Sequence, residues 1–123
     1  SRQSLAVLTD LKEVTGYRKY LFPSEGKHDR CISNVTMNAA LRRMGYNTRE
    51  EITSHGVRAM ARTLLHEKLG FAPEVIEHQL AHAVPDNLGE AYNRTKFIDE
   101  RKRMMQVWAD YLDTLKVSGS LIT

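Results

Sequence analysis

The 123-residue sequence predicts a nearly all-α chain of five helices, long enough for one domain with a modest core. Three observations lead there. Apolar residues recur at three- and four-residue spacing over long stretches. Glycines and prolines fall where such helices would stop or start. No stretch alternates apolar and polar residues as a strand ladder would.

In chain order, "SRQSLAVLTDLKEVTG" reads as the first helix, with Leu5, Leu8 and Leu11 on one stripe and Gly16 as its stop. "YRKYLFPSEGKHDRCIS" reads as a loop punctuated by Pro23 and Gly26. "SNVTMNAALRRMGYN" reads as the second helix, capped by Ser33 or Asn34 and ended by Gly45. Residues 54–70 are the third helix. "APEVIEHQLAH" is the fourth, with Pro73 suited to its first turn. The stretch "AVPDNLGEAYNRT" is irregular, with one helical turn around Tyr92. The last helix, 97–116, places Phe97, Met104, Trp108, Tyr111 and Leu115 on one face. Residues 117–123 are expected to form a loose tail.

Composition excludes several classes. No apolar run could cross a bilayer and no signal-peptide pattern opens the chain, so the expectation is a cytoplasmic protein with no membrane partner. The single cysteine, Cys31, rules out an internal disulfide framework or a cysteine-rich zinc module, and its neighbours suggest a buried or half-buried thiol. The net charge of +3 and pI of about 9.1 lean toward a polyanionic partner. The cations Arg42, Arg43, Arg49, Arg58, Arg62, Arg94 and Lys96 cluster around the segments that carry chemistry.

Those segments begin with the third helix. At about 100° per residue, His55, Arg58, Arg62 and His66 share a narrow stripe, with Val57, Met60, Ala61, Leu64 and Leu65 opposite. Most polar stripes are simply solvated, but this one lacks the Glu–Lys pairs that decorate solvated helices. Guanidinium beside imidazole suits a phosphate: arginine binds it bidentately and histidine exchanges a proton near neutral pH. His78 and His82, in "HQLAH", approach a zinc-hydrolase signature. Gln79 cannot supply the general base and no third ligand follows, so two histidines on a polar face are favoured and no metal site is expected. Tyr92 lies in polar surroundings flanked by Arg94 and Lys96, whose charges favour a phenolate, and tyrosine can serve as a covalent nucleophile.

Taken together, "SHGVRAMARTLL", "IEHQLAH" and "EAYNRTKF" resemble the tyrosine recombinases, specifically the integrases of phages and genomic islands. His55 and Arg58 match that family's H-x-x-R motif, His82 its L-G-H or L-A-H motif, and Tyr92 its nucleophile position. "YLFPS", "ALRRMGY" and "RMMQVWADYLD" extend the likeness over nearly the whole chain.

The resemblance implies a mainly α fold of orthogonally packed helices, the C-terminal half of the family's DNA breaking–rejoining domain, with little or no sheet. It also implies site-specific DNA recombination through a 3′-phosphotyrosine. Tyr92 would attack the phosphodiester, Arg58 would hold a non-bridging oxygen, His55 would assist proton transfer and His82 would hydrogen-bond the phosphate. Arg42, Arg43, Arg62, Arg94 and Lys96 would bind DNA. No cofactor is needed, because the phosphotyrosine conserves the bond energy. The implied partners are attachment-site duplexes, further protomers in a tetramer, and accessory DNA-bending proteins. The family's additional Arg and Lys have no counterpart in context in residues 1–30, so the expectation is a partial catalytic domain over 1–116, inactive alone. Two other functions compete: a non-catalytic helical DNA-binding module descended from an integrase, and a metal-dependent hydrolase.

Overall fold

A computed structural model of the chain describes residues 1–24, 27–82 and 97–120. It is mainly helical and divides into two compact units, Arg2–Ala59 and Met60–Thr123.

The first unit opens with α1 (Arg2–Thr15), which stops at Gly16, as the sequence predicts. Thr15 Oγ1 donates to the Leu21 carbonyl at 3.0 Å, and Arg18 Nη1 to the Ser24 carbonyl at 3.4 Å. These bonds fold the following segment back toward the helix. That segment is not wholly a loop. It contains a two-stranded antiparallel ribbon, β1 (Pro23–Ser24) and β2 (Lys27–Cys31), with Pro23 opposite Cys31 and Ser24 opposite Lys27. The register shifts between Pro23 and Ser24. Proline lacks a ladder donor but is tolerated at a strand's first residue or an edge, so Pro23 marks the ribbon's start as well as interrupting the chain. Cys31 is exposed, contrary to expectation, because a ribbon of two strands supplies no layer to cover it. The end of α1 and the ribbon enclose a shallow apolar cavity of about 330 Å³, walled by Leu11, Val14, Phe22 and Ile32.

Helix α2 (Thr36–Arg43) begins later than its expected caps. Ser33 instead occupies the preceding turn, its carbonyl accepting from Thr36 N at 3.0 Å. The helix ends as predicted at Gly45, whose φ of 96° L-residues adopt only at a cost of about 1–2 kcal/mol. Gly45 N donates to Arg42 O and Tyr46 N to Leu41 O, satisfying two carbonyls that the helix end would otherwise leave unpaired. Helix α3 (Ser54–Thr63) is capped by Thr53, whose Oγ1 accepts from Gly56 N at 2.9 Å. From α2, Asn38 Oδ1 accepts from Ser54 N at 2.8 Å. Among the described residues this unit buries no side chain fully.

In the second unit the third helix does not continue as an α-helix to residue 70. It widens into a π turn, Leu64–Lys68, where Leu69 N reaches back to Leu64 O, and it ends at Gly70 with φ of 71°. Of the five apolar residues expected to face a core, Leu65 alone is fully buried, whereas Val57 and Met60 remain exposed. Helix α4 (Pro73–Gln79) starts with Pro73, whose missing N–H costs nothing in a first turn. Helix α5 (Ile98–Ser120) runs four residues past Lys116, into the expected tail. Leu65, Val75, Ile76 and Met104 are the buried core, with Leu69, Phe71, Leu80, Phe97, Met105 and Trp108 packed around them. Tyr111 meets Trp108 with ring centroids 6.0 Å apart, while Leu115 lies exposed beyond the packed part of the predicted stripe. No described helix is long and apolar enough to cross a membrane.

Candidate functional site

The burial of Val75 and Ile76 fixes which way α4 faces, and the three polar residues that follow each find a specific contact. Gln79 Oε1 accepts from Arg101 Nε on α5 at 3.0 Å. The His78 ring packs against Phe97, centroids 5.4 Å apart and planes at 60°. Glu77, half-buried, accepts from Arg62 Nε through Oε1 at 2.6 Å and from His82 Nδ1 through Oε2.

His82 reaches Glu77 because of the way α4 ends. Gln79 is the last helical residue, Leu80 caps it, and Ala81 adopts φ of 53°. Ala81 N donates to His78 O, and His82 N donates to Glu77 O at 3.1 Å. This is the same pattern of terminal bonds that closes α2, built here on alanine in place of glycine. The reversal carries His82 off the helical path, so the four-residue spacing from His78 does not place both rings on one helix face. Among the described residues no group of three or more His, Cys, Asp or Glu side chains could hold a metal.

The electrostatics of this cluster centre on Glu77. The hydrogen bond from His82, then that from Arg62, hold its carboxyl below the usual carboxylate value, against a smaller opposing effect of burial. Since a carboxylate only accepts, Nδ1 of His82 carries a proton, and Nε2, on a side chain 43% exposed, makes no hydrogen bond among the described residues.

The other candidate residues divide as follows. His55 and Arg58, in the first unit, lie exposed one turn apart on α3. Neither has an ion pair or side-chain hydrogen bond among the described residues, so no described side chain engages the Arg58 guanidinium. His66, also expected on the stripe, uses Nδ1–H to hold the Phe71 carbonyl at 3.1 Å. Arg42 Nη1 donates to Thr48 Oγ1 at 2.9 Å, and Arg43 is exposed at the end of α2. Tyr92, Arg94 and Lys96 lie outside the described residues.

Glu77 was not singled out from sequence. Its link to Arg62 spans fifteen positions and depends on the packing of α4 against the π turn, which no local pattern encodes. Its link to His82 is legible only once Ala81 is known to reverse the chain.

No family model and no solved structure matches the chain. Curated sequences do. The integrase of Enterobacteria phage P4 is 44% identical over 92% of this chain, a match covering 26% of that protein. The prophage integrase IntA of Escherichia coli K12 is 40% identical over 97% of this chain and is matched over 28% of its own length. The integrase of Shigella phage Sf6 is 31% identical over 92% of the chain. The chain thus spans little more than a quarter of the relatives it resembles, and within that span it belongs to the phage and prophage integrases.

Proposed function

We propose that this chain forms part of the catalytic machinery of a site-specific DNA recombinase of the tyrosine type, which integrates and excises phage or island DNA in the cytoplasm. The observation that carries the proposal is the state of Arg58: exposed, one turn from His55, and unpaired among the described residues of an integrase chain. An arginine left in that state on a helix face serves an external phosphate better than it serves packing.

The reaction is a pair of phosphoryl transfers. The Tyr92 phenolate attacks the scissile phosphorus, the P–O5′ bond breaks, and a 3′-phosphotyrosine and a 5′-hydroxyl result. Arg58 neutralises charge on a non-bridging oxygen, His55 moves the proton of the nucleophile, and His82, in its imidazolium form, donates to the phosphate from Nε2. Rejoining is the reverse attack by a 5′-hydroxyl, so no cofactor enters. Arg42, Arg43, Arg62, Arg94 and Lys96 contact the duplex backbone, and a tetramer of protomers with DNA-bending helpers aligns two sites.

The test is a nicked attachment-site duplex that traps the covalent intermediate, supplied to the full-length integrase. The expected adduct disappears with Tyr92→Phe and falls by about 10²–10³-fold with Arg58→Ala, the range for loss of one preorganised charge partner. An adduct that survives Tyr92→Phe overturns the nucleophile assignment. Salt-sensitive DNA binding with no adduct under any condition supports the binding-module alternative instead.

A further inference from the structure

We propose that Glu77 is the positioning residue of His82: it selects the ring tautomer and aims Nε2 at the scissile phosphate, while Arg62 holds the Glu77 carboxylate in place. This rests on the reading that His82 contacts that phosphate.

Glu77 grips His82 twice. The backbone carbonyl of Glu77 accepts from His82 N, and the side-chain carboxylate accepts from His82 Nδ1. The first bond fixes where the histidine Cα lies, and the second fixes the rotation of the ring. An imidazole whose Nδ1–H is committed to a carboxylate has only Nε2 to offer. When protonated, Nε2 is a donor to a phosphate oxygen; when neutral, it can accept from the attacking 5′-hydroxyl of the rejoining step. Without the carboxylate the ring could rotate and exchange tautomers, and the nitrogen presented would vary.

The carboxylate is itself immobilised. Arg62 Nε binds the oxygen that His82 does not, at 2.6 Å, so rotation about the terminal bond of Glu77 would break both contacts. Burial of the adjacent Ile76 and Val75 in the core holds the backbone that carries Glu77. A solvated ion pair on a helix surface needs none of this support and is ordinarily worth little. Arg62 also balances the negative charge of Glu77, which would otherwise repel DNA beside His82. On this view the arginine acts through Glu77 as well as on the duplex backbone.

Two measurements test the proposal. The first is nitrogen-15 NMR of the 123-residue chain at about pH 8.5, where an ordinary imidazole is neutral. His82 is expected as the Nδ1–H tautomer in the native chain and mainly as the Nε2–H tautomer, ordinarily the preferred form, in Glu77→Ala. Nε2–H in the native chain, or an unchanged tautomer in the variant, overturns the proposal. The second is the rate of covalent adduct formation by the full-length integrase at saturating DNA. Glu77→Ala and His82→Ala should each slow it about tenfold to a hundredfold, with DNA affinity nearly unchanged, and the double variant should be no slower than His82→Ala alone. Glu77→Gln, which preserves shape and one acceptor, should recover part of the rate, and Glu77→Met, which keeps the length but removes both carboxylate acceptors, replaces Glu77→Ala in both measurements if the alanine chain does not fold. If Glu77→Ala leaves the rate unchanged while His82→Ala slows it, or if the two losses multiply, Glu77 does not act through His82. If His82→Ala itself has no effect, the phosphate role of His82 fails first, a result separable from failure of Glu77 as its positioner.

Discussion

Glu77 and His82 are joined by two bonds that close one small ring, main chain to main chain and carboxylate to imidazole, around an alanine in the left-handed conformation. The reversal at Ala81 and the orientation of His82 are therefore a single structural event.

That coupling sets a pH dependence. Glu77 is held below the ordinary carboxylate value in the folded chain, first by His82 and then by Arg62. A depressed carboxylate contributes stability that is fully present above its unfolded value of about 4.3 and is lost as pH falls through the folded one. Urea unfolding followed by fluorescence of Trp108, the one tryptophan, should show stability declining as pH is lowered from about 5. Glu77→Gln should remove part of that decline, and an identical slope would show that other carboxylates account for it.

Ala81 adopts φ of 53°, which glycine would occupy without strain. Ala81→Gly relieves about 1–2 kcal/mol of local strain and loses part of that to greater unfolded-chain entropy, for a net gain of up to about 1 kcal/mol. Ala81→Val should be destabilising, because a β-branched side chain resists this conformation. Equilibrium denaturation of both variants decides the point.

The converse substitution is Gly45→Ala. Its φ is 96° and nothing lies within 4 Å of where a Cβ would sit, so the cost is conformational strain without a clash. A loss of about 1–2 kcal/mol is expected for the unit containing α2, measured by hydrogen exchange at Met44 and Tyr46.

Core substitutions should separate sharply from surface ones. Ile76 is 1% exposed and Leu5 66%. Ile76→Ala should cost about 2–5 kcal/mol and Leu5→Ala no more than about 0.5 kcal/mol. Trp108 is half-buried, so Trp108→Ala should fall below the roughly 3–5 kcal/mol of a fully buried aromatic. Thermal unfolding of the three variants gives the order directly.

Sequence pattern captured what is local. The ends of α1 at Gly16 and α2 at Gly45, the start of α4 at Pro73 and the packing of Met104 and Trp108 all depend on residues within a turn or two of one another. The readings that shifted depend on longer range. The ribbon at Pro23–Ser24 and Lys27–Cys31 arises from pairing that Pro23 disguised, and the π turn coincides with the burial of Leu65 in a core shared with Val75, Ile76 and Met104. For the proposed site, the helical stripe brought His55 and Arg58 into view, whereas the role proposed for His82 came only from the family resemblance of its L-A-H context. Glu77 could not be named from sequence, since the role proposed for it comes from Arg62, brought to it by tertiary packing, and from His82, brought to it by the reversal at Ala81. The tail differed for a simpler reason: Val117, Ser118 and Gly119 have modest helix propensity but continue a helix already nucleated over many turns.

The π turn has one more consequence, for chain length. Leu69 N bonds Leu64 O, Gly70 N bonds His66 O and Phe71 N bonds Leu65 O, each reaching back one residue further than the matching bond at the end of α2. Removing Glu67, which is exposed, would shorten all three spans by one while leaving every donor with its acceptor. The junction would become an ordinary α-helical ending on the same glycine, so this stretch of the chain can lose a residue without any of these three backbone bonds changing partners.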